Sequence, residues 1–230
     1  MKTIGLIGGM SWESTVTYYQ VMNETVRERL GGLHSAKILM ESVDFAEIAV
    51  HQFAEDWQSC ARLVGDAAVR LERGGADFIV IGTNTMHKVA EDIEARLSVP
   101  LLHIADLTAD ALREAGIGRV ALIGTRTTMA EPFYKARLEA QGFEVLVPDA
   151  AGMETVNRII FEELCQGIFL EESRRECREV ISDLVQQGAQ GLILGCTEIG
   201  LLVKPEDAAV PLFDTTIIHA RGAILRAMSE

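Results

Sequence analysis

Cys196 and Thr83 are the residues on which any chemistry of this sequence turns, because the chain places them in the same setting twice. The stretch Gly75-Ala-Asp-Phe-Ile-Val-Ile-Gly-Thr-Asn-Thr85 is echoed by Gly188-Ala-Gln-Gly-Leu-Ile-Leu-Gly-Cys-Thr-Glu198. Two further echoes pair Ile4-Gly-Leu-Ile-Gly8 with Val120-Ala-Leu-Ile-Gly124, and Val99-Pro-Leu101 with Val210-Pro-Leu212. The offsets are 123 − 7 = 116, 196 − 83 = 113 and 210 − 99 = 111, so the spacing drifts little. Two homologous halves are expected, with Thr83 and Cys196 in equivalent places. A pseudo-two-fold axis would set them on opposite walls of one cleft, the arrangement needed to reach both faces of one carbon.

A free cysteine is ordinarily a small buried hydrophobe. Cys60 and Cys177, on helical apolar faces, read that way, and Cys165 closes a helical stretch in a more open place. Cys196 differs, because it follows a buried strand and a glycine and precedes Thr197-Glu198. A helix N-terminus there would favour its thiolate as nucleophile or base. Thr83 alone reads as a turn or capping residue and gains interest only through its alignment with Cys196.

Short Ile/Leu/Val-rich runs alternate with amphipathic stretches. The expected strands are 3–7, 37–42, 77–81, 100–104, 119–123, 143–147, 190–194 and 211–213. A helix over 11–30 is expected to carry Val16, Tyr19, Met22, Val26 and Leu30 on one face, stopped by Gly31-Gly32. A second, over 57–73, turns Cys60, Leu63, Val64, Ala67, Ala68 and Leu71 inward. Stretches 131–141, 154–165 and 171–187 are helical in the second half, and 216–230 forms a final helix packing back on the first. Strand–helix alternation implies parallel sheets with right-handed crossovers. The expected fold class is α/β: two pseudo-symmetric lobes, each a parallel sheet flanked by helices, with the active site in the inter-lobe cleft. The lobes are read as 1–106 plus 216–230, and 107–215.

Ligands of open parallel sheets sit at the carboxyl ends of the strands. Four turns fall there: Gly8-Gly9-Met10-Ser11, Gly82-Thr83-Asn84-Thr85, Gly124-Thr125-Arg126-Thr127 and Gly195-Cys196-Thr197-Glu198. Their backbone N–H groups and following helices suit carboxylates or phosphates. Met10, Ser11, Asn84, Thr85, Thr125, Thr127, Thr197 and Glu198 are therefore the candidate substrate-binding residues, although each is singly more common as a turn residue. The first turn lacks the third glycine of a dinucleotide fingerprint, and no Walker-type lysine follows, so nucleotide binding is disfavoured. His87 and His219 lie just beyond strand ends, where a capped or exposed histidine weighs at least as much as a catalytic one. Trp12, Phe45, Trp57 and Phe161 read as core packing before pocket lining. The acidic run Glu91-Asp92-Ile93-Glu94 reads as a solvated helix face.

The formal net charge of −13 argues against nucleic acid as a partner. It also means that an anionic small molecule must be captured by local donors. No apolar run is long enough for a membrane span, and the N-terminus lacks the features of a signal peptide. The four cysteines have neither disulfide-framework nor zinc-ligand spacing. The expectations are no metal, no membrane, a cytoplasmic setting and the common homodimeric state.

Ile7-Gly-Gly-Met-Ser-Trp-Glu-Ser14, Thr83-Asn-Thr-Met-His87 and Gly195-Cys-Thr-Glu-Ile199 together resemble the aspartate/glutamate racemases, over essentially the whole chain. The resemblance implies a small-molecule amino-acid substrate and a two-base mechanism with no cofactor, pyridoxal phosphate included. In it, groups at 83 and 196 remove and return the α-proton on opposite faces of Cα. It implies that Cys196 handles the L enantiomer, residue 83 the D enantiomer, and that Asn84, Thr85, Thr127 and Thr197 hold the α-carboxylate. Two departures stand out. Residue 83 is Thr where most of the family has Cys, and an alkanol is far less acidic than a thiol, whose ordinary pKa is about 8.5. The lysine often found after the family's Asn-x-Ile-Ile pattern is missing after Asn157-Arg158-Ile159-Ile160, where Cys165 follows, and no Arg stands in Val43-Asp-Phe-Ala-Glu47. A preference for L substrates and a broader amino-acid range follow. The competing readings are a single-cysteine decarboxylase or cis–trans isomerase of the same superfamily, and a non-catalytic binder of small carboxylates.

Overall fold

The computed structural model describes residues 1–229, and the chain divides into two compact units, Met1–Ile104 with His219 onward, and Ala105–Ile218. The first unit runs β1 (Ile4–Gly8), α1 (Trp12–Leu30), β2 (Ile38–Ser42), α2 (Phe45–Phe53), α3 (Trp57–Arg73), β3 (Phe78–Ile81) and α4 (Ala90–Glu94). The second runs α5 (Ile104–Glu114), β4 (Arg119–Gly124), α6 (Arg126–Ala130), α7 (Pro132–Glu139), β5 (Glu144–Leu146), α8 (Ala150–Glu162), α9 (Glu171–Gln186), β6 (Leu192–Gly195), α10 (Ile199–Leu202) and β7 (Leu212–Asp214). α11 (Thr215–Met228) starts in the second unit and ends in the first.

Each unit is a parallel sheet flanked by helices, in the order β2-β1-β3 and β5-β4-β6-β7. The repeat read from the sequence survives at the level of register. Ile79 bridges Leu101, and Leu192 pairs with Leu212. In both places the N–H of the first residue donates to a proline carbonyl, Pro100 or Pro211, at 2.9 Å. The pairs 79/192 and 83/196 share the offset of 113 (192 − 79 and 196 − 83), so Thr83 and Cys196 follow equivalent strands. The expected strand at 100–104 is reduced to that one bridge. Pro100 has no N–H to donate, and α5 already begins at Ile104, which takes the chain out of the sheet.

The helix over 57–73 buries Cys60, Val64, Ala67, Ala68 and Leu71 as its periodicity requires. α1 follows its apolar periodicity only at Met22 and Val26. Its buried face is Ser14, Thr15, Tyr18, Val21, Met22, Thr25 and Val26, while Val16, Tyr19 and Leu30 are exposed. Hydrogen bonding explains the choice. Thr15 Oγ1 accepts from Gly9 N–H and donates to Ser11 O, both at 2.8 Å, Thr25 Oγ1 donates to Val21 O, and the Tyr18 hydroxyl meets His219. Polar side chains that are satisfied inside displace apolar ones to the surface. Trp12, expected inside, is also exposed, whereas Phe45, Trp57 and Phe161 pack against the cores. The end of α11 belongs to the first unit, where Ala227 O accepts from Lys2 N–H at 2.8 Å.

Candidate active site

The turn after β1 is shaped by Gly9, whose φ of +92° suits glycine and whose missing Cβ leaves room for Val43. Its N–H is occupied by Thr15, so the turn offers one donor fewer to a ligand than its composition suggests. Met10 packs in the core of the unit, and Ser11 starts α1 with its carbonyl accepting from Ser14 and Thr15.

The turn after β3 carries Thr83, which is half-buried, and Asn84 and Thr85, which are buried. The Thr83 carbonyl accepts from His87 Nδ1 at 2.8 Å, and His87 Nε2 accepts from Ile104 N–H at 3.3 Å. These two bonds define a neutral tautomer with Nδ1 protonated. His219 has the opposite one: Nε2–H donates to Leu102 O and Nδ1 accepts from the Tyr18 hydroxyl, each at 2.8 Å. His103, which no sequence signal had singled out, completes the cluster with its ring 4.5 Å from that of His87. Burial, first, and the neighbouring His103 and His219 hold His87 well below the usual imidazole range. Burial alone brings His219 down to about 4. Neither is a capped or exposed surface histidine. Both are buried, neutral and hydrogen-bonded at both ring nitrogens, and His87 anchors the Thr83 turn.

In the second unit, Thr125 is an N-cap, with its hydroxyl accepting from Thr128 N–H at 3.2 Å. Asn157 Oδ1 takes the Arg126 N–H at 2.8 Å, which joins α8 to the same turn, and Thr127 is half-buried beside it. Arg158 is paired with Glu163 at 3.1 Å and Glu176 at 2.6 Å, so it spends its charge within the unit.

Cys196 follows β6 and is 6% exposed. Its Sγ–H donates to Glu198 Oε2 at 3.0 Å, and the Thr197 hydroxyl donates to the Glu198 oxygens at 3.0 and 2.9 Å. The expected thiolate-favouring helix end is overridden. Burial, and then the Glu198 carboxylate, push the thiol well above its ordinary range, while the Glu198 N–H bond to sulfur opposes them weakly. α10 is a single turn of four residues, too short to set a substantial dipole against those effects. Cys60 and Cys177 are core residues, as expected, and burial raises Cys177 to about 12. Of Thr197 and Glu198, both read as substrate ligands, Glu198 accepts from the thiol and Thr197 donates to Glu198. Their order after Cys196 was plain in the sequence, but nothing local says where a side chain points.

A strand-end thiol paired with a buried carboxylate lies in one α/β unit, and the equivalent strand-end Thr in the other. The Asp/Glu/hydantoin racemase family model matches residues 7–223. A candidate Asp/Glu racemase from Yersinia pestis is 56% identical over the full length of both chains, with a TM-score of 0.92. An aspartate racemase homologue from Pyrococcus horikoshii OT3 is 38% identical, again over both full chains, with a TM-score of 0.85. The broad specificity amino-acid racemase RacX of Bacillus subtilis is 23% identical over 96% of each chain. This chain belongs to the Asp/Glu/hydantoin racemase family. Among the described residues, no helix is long and apolar enough to cross a membrane.

Proposed function

We propose that the protein racemises an acidic amino acid, aspartate or glutamate, by moving the α-proton with its own side chains. In this reading Cys196 removes the α-proton of the L enantiomer, and Thr83 serves the opposite face. Asn84, Thr85 and Thr127 hold the α-carboxylate. The observation that carries the reading is the matched register that puts Thr83 and Cys196 after equivalent strands, inside a family whose named relatives are racemases. Thr83 is a weak acid and Cys196 has a carboxylate at its sulfur, so the two directions are unequal. The equilibrium constant between mirror images is one by symmetry, and the inequality is therefore kinetic.

The test is exchange of the α-proton of each enantiomer of aspartate and glutamate in D₂O, followed by proton NMR. The expected result is deuterium incorporation with inversion, faster from the L side. Equal exchange from both enantiomers would remove the asymmetry, and loss of the carboxyl group without inversion would turn the assignment towards a decarboxylase.

A further inference from the structure

We propose that Glu198 is a positioning residue for the thiol: its carboxylate aims the Cys196 Sγ–H and accepts that proton to make the thiolate. This inference rests on the reading of Cys196 as the base. Three features of the turn support it. The Sγ–H already points at Glu198 Oε2 at 3.0 Å, with both residues buried. Thr197 donates to both carboxylate oxygens, which locks the carboxylate in its acceptor role. An acidic substrate brings negative charge of its own, so a buried carboxylate is a poor ligand for it.

The energetics favour transfer inside the pair over release to water. Losing a proton outward would leave two negative charges in dry surroundings, whereas transfer within the pair keeps one. The titratable groups that bear on the sulfur are Glu198, on its own turn, and Cys165, from the segment after α8; both oppose the thiolate, after burial itself. A base in this setting needs an internal acceptor. The Sγ–H bond breaks, its electron pair stays on sulfur and the proton joins Oε2. The sulfur then takes the Cα proton, and the C–H pair stays on the substrate until the opposite face is protonated. Sulfur is a thiol again, Glu198 returns its extra proton to water, and the opposite donor recovers one from water.

The experiment is kcat and KM for L-substrate exchange against pH in wild type, Glu198→Gln and Glu198→Asp, with folding checked by circular dichroism. Wild-type kcat is expected to be nearly flat from about pH 7 to 9, since the reactive pair forms without net proton loss. Glu198→Gln should fall at least about 10²-fold at pH 7 and then climb about tenfold per pH unit, with KM little changed. Glu198→Asp should keep the flat profile at a lower rate. A raised KM with unchanged kcat would make Glu198 a substrate ligand and overturn the inference. So would a Gln variant as active as wild type at pH 7, or one with a parallel profile. If the Gln variant does not fold, a wild-type kcat that itself climbs tenfold per unit overturns it, and a flat one supports it. Cys196→Ser separates the two levels: exchange surviving there defeats the base assignment, while a dead Ser variant beside an unaffected Gln variant defeats only the role of Glu198.

Discussion

In the proposed reaction Cys196 and Thr83 contribute unequally, because a thiol and an alkanol differ so widely in acidity. Cys196→Ser should lower turnover about 10²–10⁴-fold, the usual worth of a general acid/base group, while the fold persists, since Ser fits the space of Cys. Retention of more than half the activity would remove Cys196 from the mechanism. The same change at Cys60 or Cys177, both core residues, should alter stability before activity. Thr83→Cys should raise D-to-L turnover towards the L-to-D rate, because the new group is ionisable. If D-isomer turnover stays unchanged in a folded protein whose new thiol is alkylated by iodoacetamide, residue 83 is not the opposing acid/base.

The turn after β1 is held by backbone geometry as much as by side chains. Gly9 has φ +92°, and a Cβ there would lie 2.7 Å from Val43 N and closer still to the Val43 carbonyl. Gly31, at φ +65°, has nothing within 4 Å of the same position. Gly31→Ala should therefore cost only backbone strain, about 1–2 kcal/mol, whereas Gly9→Ala should cost more than about 3 kcal/mol once the clash is added. Urea midpoints of the two variants measure the difference, and equal losses would show that the β1 turn can yield. α1 teaches a related lesson. Its apolar spacing pointed to Val16, Tyr19 and Leu30, and the helix turned Thr15, Tyr18 and Thr25 inward instead.

For the molecule as a whole, the buried histidines tie stability to pH. His219 is neutral when folded, with its pKa brought down to about 4 from an ordinary 6.5. Between those values the unfolded chain binds a proton that the folded chain refuses. Its stabilising effect is thus present above about pH 6.5 and lost as pH falls towards 4, about 3 kcal/mol at most for this group. His87 shifts in the same direction and adds to the loss. Asp207, held below the carboxylate range by Arg174 and Arg178 despite its burial, adds a loss only at lower pH. Thermal midpoints should fall from pH 7 to 4.5, and His219→Gln should flatten that slope, because Gln can donate to Leu102 O and accept from Tyr18 without titrating. An unchanged slope in the variant would place the pH dependence elsewhere.

The amino-acid sequence by itself determined the internal repeat, the strand–turn–helix order, the place of Cys196 directly after a strand and the family. All of these are written in local periodicity and in residues adjacent along the chain, and in a parallel sheet such signals fix which residues follow a strand. Tertiary structure decided what depends on partners distant in sequence or on the direction of a side chain. The face that α1 buries was settled by a hydrogen bond to His219, 201 residues away. The neutrality of His87 and His219 came from burial, reinforced at His87 by His103, and the fourth strand of the first sheet was cut to one bridge by the start of α5. The acidity of Cys196 was misjudged for the same reason. A helix N-terminus can be read from spacing, but the desolvation of a sulfur and a carboxylate aimed at it are properties of the packed turn.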